Sequence, residues 1–147
     1  MFSDSRLAAV GWPLDSVACD RRGTVDAELV ASRIQDDTRL VCVQLANPVL
    51  GTIQPVREIA EACHRRGVLV HCDATQAIGK IPVDVGQLHA DMLAISGHKF
   101  YGPKGSGALN DRPGMGLSPI ANGQPPEMRQ RPAAHNNPPC IGLEAAT

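Results

Sequence analysis

The stretch VLVHCD, residues 68–73, decides the fold of this chain, because it is a short and mainly apolar run that stops at a carboxylate. Two similar runs stand on either side of it, LVCVQLA at residues 40–46 and DMLAI at residues 91–95. Short continuous apolar runs are typical of strands that are buried on both faces of a parallel sheet. We therefore predict three buried strands, each followed by polar residues.

Helices are predicted before the first strand and between the first two. Apolar residues recur at i, i+3, i+4 and i+7 over residues 27–34, behind a capping Asp26, and this spacing predicts an amphipathic helix. A second helix is predicted from about Pro55, a residue favoured in the first helical turn, to Gly67, which suits a C-terminal cap. The order strand, helix, strand, crossover, strand predicts an α/β fold, a mainly parallel sheet with flanking helices.

The composition excludes several classes of function. The 147 residues are 43% hydrophobic and 20% charged, which is typical of a folded globular chain. Aromatic residues make up 3% and the net charge is -1, so the sequence offers neither a stacking surface nor a positive field for nucleic acid. It has no apolar run long enough to span a membrane, and its start, MFSDSR, lacks the pattern of a secretory signal. We therefore expect a cytoplasmic protein that binds neither nucleic acid nor membranes.

The five cysteines predict neither disulfides nor a metal site. They are odd in number and have no framework spacing, so we expect reduced and mostly buried thiols. The pairs Cys63-His64 and His71-Cys72 look like metal ligands. However, the first pair falls near the end of a helix and the second in a strand, where adjacent side chains point to opposite faces. We expect no metal at either pair.

Polar side chains cluster directly after the predicted strands. Open parallel sheets bind ligands at the carboxyl ends of their strands, so these side chains are candidates for a binding site. The candidates are Asn47 after the first strand, Asp73 and Gln76 after the second, and Ser96, His98 and Lys99 after the third.

Lys99 is the candidate catalytic residue. It stands in SGHKFYGPKG, residues 96–105, where glycines permit close approach of a ligand and Ser and His supply donors suited to a phosphate. A lysine held in such a pocket can form a Schiff base. The stretch is not a P-loop, because Pro103 occupies the position that requires lysine.

Asp73, a carboxylate at the tip of an apolar strand, needs a partner, and a protonated pyridine nitrogen would supply one.

The stretches HCDATQAIGK, residues 71–80, and SGHKFYGPKG, residues 96–105, closely resemble motifs of the cysteine desulfurases. These are class V aminotransferase-fold enzymes that use pyridoxal 5'-phosphate (PLP), and the resemblance runs from about Gly11 to Leu109. It implies that the chain is part of the large domain of a fold-type I PLP enzyme.

The resemblance also implies roles for the candidate residues. Lys99 would carry the covalent link to PLP, Asp73 would pair with the pyridinium nitrogen, and Gln76 would pair with the ring hydroxyl oxygen. Ser96 and His98 would bind the phosphate.

The implied activity is removal of sulfur from L-cysteine, which leaves L-alanine and an enzyme-bound sulfur for iron-sulfur cluster assembly or another sulfur transfer. A sulfur-acceptor protein and a homodimer would be the implied partnerships. Kynureninase-like and epimerase-like enzymes of the same class are the nearest rivals, and the run GHKFYGPKG favours the desulfurases over them.

The sequence departs from the family pattern at two positions. Pro48 stands where the family has a cofactor-facing Asn, with Asn47 one residue early, and Ala134 stands where the family has a Thr that binds cofactor phosphate. The resemblance also implies that the family's ring-stacking His precedes this chain and that its nucleophilic Cys and substrate-binding Arg follow it. A non-catalytic fragment or degenerate paralogue that keeps the PLP-binding fold is therefore the alternative, and whether the chain is itself an enzyme stays open.

The chain divides into two parts by composition. Residues 1–110 are predicted to form a partial PLP-binding large domain. Residues 111–147 hold seven of the 12 prolines and four glycines, so we predict an irregular tail that continues the same domain.

Overall fold

The computed structural model describes residues 4–118 and 136–147 of the chain. The elements of these ranges, in chain order, are α1 (Asp4–Ala9), α2 (Ala27–Arg33), β1 (Leu40–Gln44), α3 (Val56–His64), β2 (Leu69–Asp73), α4 (Val85–Leu88), β3 (Met92–Ser96), a 3-10 turn (Gly97–Lys99), β4 (Gly107–Asp111) and α5 (Asn137–Ala146). The predicted α/β class is confirmed. No helix of the described residues is long and apolar enough to cross a bilayer.

The four strands form one sheet in the order β1-β2-β3-β4. The first three strands are parallel, with Gln44 opposite Asp73 and Asp73 opposite Ala94, and β4 runs antiparallel to β3. The three predicted strands and the mainly parallel sheet are therefore confirmed.

The sequence does not predict β4. Residues 107–111 read GALND, and Gly, Asn and Asp are depleted in strands, so the segment lacks a strand pattern. It pairs because the chain after β3 folds back on itself, and the Gly97 N–H donates to the Ser106 carbonyl at 2.9 Å beside the first pair of the ladder. Tertiary pairing thus overrides a weak local preference.

Local capping explains where the helices begin and end. The Asp26 carboxylate accepts a hydrogen bond from the Glu28 N–H at the start of α2, at 2.8 Å, and Asp84 accepts one from the Gln87 N–H at the start of α4, at 3.1 Å. After α3, Gly67 has a φ of 69°, the left-handed conformation that glycine adopts at helix ends. Both predicted helices are confirmed.

The core lies between one face of the sheet and helices α2 and α3. Val70 of β2 packs there with Ile59 of α3 and Val30 of α2, and a second cluster around Cys72 and Leu93 continues the core beneath the crossover to β3. Burying a side chain such as Val70 contributes about 1.5–3 kcal/mol. This layer holds the carboxyl ends of the strands in a fixed register.

The opposite face of the sheet is open at its edge. Leu40 of β1 is 45% exposed and Leu69 of β2 is 37% exposed, whereas Val41 and Val43 pack against the helical layer. The prediction that β1 is buried on both faces is therefore wrong. The physical reason is that α2 and α3 cover only the face of β1 that carries its valines, and the same holds for β2, whose Leu69 lies on the other face.

The burial of the cysteines reflects the same difference between the covered and the open face of the sheet. Cys63 and Cys72 lie in the covered layer and are buried, while Cys19, Cys42 and Cys140 are exposed, and all five are free. The expectation of mostly buried thiols is wrong, because Cys42 lies on the open face of β1 and the other two lie outside the core.

The segment after β4 contains a helix, so the expectation of an irregular tail is wrong for α5. Its prolines stand at the start of the helix, where a missing N–H costs nothing. Leu143 Cδ1 lies 3.0 Å from the position that a Cβ on Gly97 would occupy, so α5 packs against the turn that follows β3. Ala134 lies outside the described residues, and the division of the chain at residue 110 stays a prediction.

A buried carboxylate joins three elements at the amino ends of β2 and β3. Asp91 Oδ2 accepts a hydrogen bond from the Val70 N–H at 2.7 Å and lies 2.9 Å from Nε2 of His64, the last residue of α3. Asp91 Oδ1 lies 2.9 Å from Nη2 of Arg112, which follows β4, and the Asp91 side chain is fully buried. A buried charge is tolerated when it is paired and hydrogen-bonded. Oδ2 meets both conditions, whereas Oδ1 has the charge of Arg112 beside it but no hydrogen bond from a described residue.

Candidate active site

The predicted site residues come together where β1, β2 and β3 end. Gln44, the last residue of β1, pairs with Asp73, the last residue of β2, and Asp73 pairs with Ala94, just before the end of β3. Adjacent strands lie about 4.8 Å apart, so the loops that follow them begin side by side. The strand ends and these loops carry all the candidates: Asn47, Asp73, Gln76, Ser96, His98 and Lys99.

Asp73 presents one carboxylate oxygen to this edge. Its Oδ1 accepts a hydrogen bond from the Thr75 N–H at 2.9 Å, which fixes the side chain at the start of the following turn. Its Oδ2 has no hydrogen-bond partner among the described residues, and the residue is half-buried. A half-buried carboxylate oxygen of this kind suits a cationic N–H donor.

Gln76 lies in the turn that follows Asp73 and is half-buried. The Lys80 ammonium donates to its side-chain oxygen Oε1 at 3.0 Å and to its backbone oxygen at 3.2 Å. The sequence motifs do not single out Lys80 as a site residue. The signal that could have found it is the four-residue spacing from Gln76, which places two side chains on the same side of a helical turn.

Lys99 ends the short 3-10 turn that follows β3 and is half-buried. Next to it, Ser96 Oγ and His98 Nδ1 lie 3.0 Å apart and share a hydrogen bond. Lys99 Nζ makes no hydrogen bond or ion pair with another described residue. An amine, a hydroxyl and an imidazole therefore lie within four residues of chain at the end of one strand.

Two glycines allow the loop around Lys99 to close on itself. The Gly102 N–H donates to the Gly97 carbonyl at 2.9 Å, and a Cβ on Gly102 would stand 2.9 Å from that same oxygen. Between them, Tyr101 is fully exposed and has a φ of 69°, a left-handed conformation that costs a non-glycine residue about 1 kcal/mol. The loop therefore holds Lys99 in a tight and partly strained turn.

Gly79 joins the turn after β2 to the loop after β3. It has a φ of 73°, and a Cβ at this position would lie 2.7 Å from Cβ of the buried Phe100, the neighbour of Lys99. The close approach of the two backbones sets the distance between the turn that carries Gln76 and the loop that carries Lys99.

Replacement of Gly79 by alanine is expected to lower the free energy of unfolding by about 2 kcal/mol, because it combines backbone strain with a clash against Phe100. Gly51→Ala is the matched control. Gly51 has a φ of 75° and open space around it, so that variant carries the backbone strain alone, about 1 kcal/mol. Urea unfolding followed by circular dichroism measures both. Equal losses in the two variants would show that the contact with Phe100 is not tight.

Asn47 directs part of its side chain into its own turn. Its Oδ1 accepts hydrogen bonds from the N–H groups of Val49 and Leu50 at 2.9 and 3.0 Å, so this oxygen holds the turn that contains Pro48. Only the NH2 group of the side chain is left for a ligand. A role for Asn47 in binding a cofactor stays a prediction.

Three of the five thiols are held in the protonated form. Burial raises the pKa of Cys72, which directly precedes Asp73, to about 12, and the Asp73 carboxylate adds to the effect. Burial also raises the pKa of Cys63, with the Asp91 charge as a second cause. Cys42 is exposed as a residue, and the partial loss of solvent around its thiol in β1 raises its pKa as well. A thiol in the protonated form is a poor nucleophile. Among the described residues, no group of three or more His, Cys, Asp or Glu side chains is arranged to hold a metal ion.

Comparison with known proteins identifies the class. The family model for Aminotransferase class-V matches residues 5–123, so the chain belongs to the class V aminotransferase family. Enzymes of this class depend on PLP. Within it, the chain is similar to cysteine desulfurases, and the resemblance drawn from the two sequence motifs is confirmed.

Two curated relatives illustrate the similarity. The chain is 45% identical over 140 residues to "Cysteine desulfurase IscS 1" of Archaeoglobus fulgidus. The aligned region covers 95% of this chain and 36% of that protein. It is 40% identical over 141 residues to "Cysteine desulfurase IscS" of Methanosarcina thermophila, covering 96% of this chain and 35% of that one. The chain thus spans about a third of the length of the curated relatives it matches.

Solved structures agree with the fold. "SspA in complex with cysteine" superposes with a TM-score of 0.93 at 32% identity, over 99% of this chain and 42% of that one. A "NIFS-LIKE PROTEIN" superposes with a TM-score of 0.91 at 36% identity, over 97% of this chain and 40% of that one. The similarity covers the sheet and the loops that carry the candidate site.

Proposed function

We propose that this chain is the PLP-binding central part of a cysteine desulfurase. The observation that carries the proposal is the pairing of β2 with β3, two adjacent parallel strands that end at Asp73 and just before Lys99. One strand end offers a carboxylate with a free oxygen, and the next offers an amine without a described partner.

The residues at this edge fit the functional groups of PLP. The pyridinium nitrogen is a cationic donor, and Asp73 Oδ2 is an available anionic acceptor. The ring oxygen accepts hydrogen bonds, which the Gln76 amide can donate. The phosphate accepts several, which Ser96 and His98 can supply, and the aldehyde reacts with an amine such as that of Lys99.

When bound, PLP supplies an electron sink for a carbanion at the alpha carbon of an amino acid. Asp73 holds the proton on the ring nitrogen through a charge-assisted hydrogen bond, worth about 1.5–3 kcal/mol. Lys99 would bind the cofactor covalently, and once the amino group of a substrate replaces it in that link, the released Lys99 amine would be the base available to move the proton at the alpha carbon. Gln76, Ser96 and His98 would hold the ring oxygen and the phosphate and so orient the cofactor.

For the whole protein we propose the desulfuration of L-cysteine to L-alanine, with the sulfur passed to a sulfur-acceptor protein for iron-sulfur cluster assembly or another transfer. L-cysteine as the substrate is supported by the names of the curated relatives and by the similarity to SspA, whose structure is a complex with cysteine. A homodimer and a cytoplasmic location are part of the same proposal.

One observation favours a second candidate function, a non-catalytic fragment or degenerate paralogue that keeps the PLP-binding fold. Pro48 occupies the turn after β1, and Asn47 uses its side-chain oxygen to hold that turn. A site that has lost the contact from this turn would bind the cofactor less tightly.

The test is the position of the covalent link. After addition of PLP and reduction with borohydride, we expect peptide mapping to find the label on Lys99, since it is the half-buried lysine, whereas Lys80 and Lys104 are exposed. The Lys99→Ala variant should lose both the label at this position and the visible absorption band of the bound cofactor.

The lysines at 80 and 104 are the internal controls, because exposed amines also react slowly with free PLP. A label found mainly on either of them, or a band that survives in Lys99→Ala, would overturn the proposed function.

A further inference from the structure

We infer that Lys80 is a positioning residue for Gln76, because its ammonium group fixes the orientation of the Gln76 amide and presents the two N–H donors of that amide to the ring oxygen of PLP. The inference rests on the proposed function, since it concerns a donor toward that cofactor. It assigns a role to a residue that the sequence motifs alone do not mark as part of the site.

One ammonium group holds both oxygens of Gln76. Lys80 Nζ lies 3.0 Å from Oε1 and 3.2 Å from the backbone oxygen. An ammonium group has donors only, so the side-chain atom that faces it is the amide oxygen, and this settles which end of the amide is which. The Nε2 group, with its two donors, therefore points away from Lys80.

The backbone of the turn leaves the Gln76 carbonyl free for this contact. The turn is closed by bonds to the neighbouring carbonyls, from Ile78 N–H to Ala74 at 3.1 Å and from Ile81 N–H to Ala77 at 3.0 Å. Without Lys80, neither oxygen of Gln76 would accept a hydrogen bond from another described residue, and both would be left to solvent. The four-residue spacing thus lets one side chain hold another in a single conformation.

Two physical effects follow for a ligand that accepts hydrogen bonds from Gln76. A free glutamine side chain loses conformational entropy when a ligand immobilises it, and Lys80 has already removed part of that freedom. The positive charge at Oε1 also polarises the amide, which makes Nε2 a stronger donor. Both effects act through Gln76, and Lys80 itself touches no ligand.

A double-mutant cycle on PLP binding tests the inference with the full chain. Lys80→Met removes the donors and keeps an unbranched side chain, and we expect the dissociation constant for PLP, followed by visible absorbance, to rise about three- to fivefold. In a Gln76→Ala background the same change should have less than about a 1.5-fold effect, because the residue through which Lys80 acts is gone. Lys80→Arg, which also has donors only, should restore binding to within about twofold.

Two controls distinguish the positioning of Gln76 by Lys80 from a general effect of losing a positive charge and from an effect on the stability of the chain. Arg65→Met removes one positive charge from the exposed end of α3, at the opposite end of the strands, and should leave PLP binding unchanged. Thermal unfolding of Lys80→Met should match that of the parent chain, because Lys80 is exposed.

Each outcome decides the matter. Equal losses in the two backgrounds, or no loss in either, would overturn the inference and leave the proposed function standing if Lys99 still carries the label. If the parent chain does not bind PLP at Lys99, the proposed function fails and this inference fails with it.

Discussion

Replacing Asp91 with alanine is expected to lower the free energy of unfolding by about 3 kcal/mol or more. The substitution removes the acceptor of the Val70 N–H and the anionic partner of both His64 and Arg112, so it breaks the links between α3, β2 and the end of β4 at once. Domains are typically stable by about 5–15 kcal/mol, so this loss is a large share of the total. Urea unfolding followed by circular dichroism is the measurement.

Asp37→Ala is the matched control, because Asp37 is an exposed aspartate in the loop between α2 and β1 and should change the stability by less than about 0.5 kcal/mol. Asp91→Asn keeps the side-chain volume and one acceptor, so it should fall between the two. It also gives a measurable variant if the alanine variant does not fold. A loss of unfolding free energy below about 1 kcal/mol in Asp91→Ala would contradict the stabilising role that we assign to the contacts of this carboxylate with α3, β2 and Arg112.

The parts of the fold that the sequence predicts are those with strong local patterns. Three short apolar runs predict β1, β2 and β3, and a cap followed by a 3.6-residue period predicts α2. β4 and α5 escape prediction because local composition opposes them: GALND is poor in strand formers, and prolines mask the start of α5. β4 depends on pairing with β3, and α5 depends on packing against the turn after β3, and a local pattern contains neither contact.

The same division holds for the candidate site. Asp73 and Lys99 can be predicted because a polar residue directly after a buried strand has to stand at the carboxyl edge of the sheet. The contact of Lys80 with Gln76 depends on how the turn after β2 closes. The contacts of Asp91 depend on His64 and Arg112, which lie far from it in the sequence. The open face of β1 could not be predicted, because an apolar strand sequence does not say which layers are present to cover it.

Assayed alone with PLP and L-cysteine, this chain is expected to release no sulfide above the rate of free PLP in the same buffer. Desulfuration needs a thiolate that can reach the sulfur of the substrate. Burial raises the pKa of Cys63 and Cys72, the latter to about 12, and partial desolvation raises that of Cys42, so these three thiols stay protonated at neutral pH. The loops at the site, residues 45–55, 74–84 and 97–106, also contain no arginine to hold the carboxylate of the substrate, so its orientation is poorly fixed.

Three thiols are exposed, and the two of them that lie outside the sheet, Cys19 and Cys140, provide the control variants. Of the two, Cys140 is the thiol whose helix approaches the site, because Leu143 of α5 packs against Gly97, two residues from Lys99. The helix also fixes the position of the Cys140 backbone. The assay should follow alanine and sulfide together in the parent chain and in the Cys140→Ser and Cys19→Ser variants. Stoichiometric formation of both products that is lost in Cys140→Ser and kept in Cys19→Ser would contradict the prediction. Cys140 would then be the sulfur carrier, and the chain would hold a complete set of reacting groups within its 147 residues.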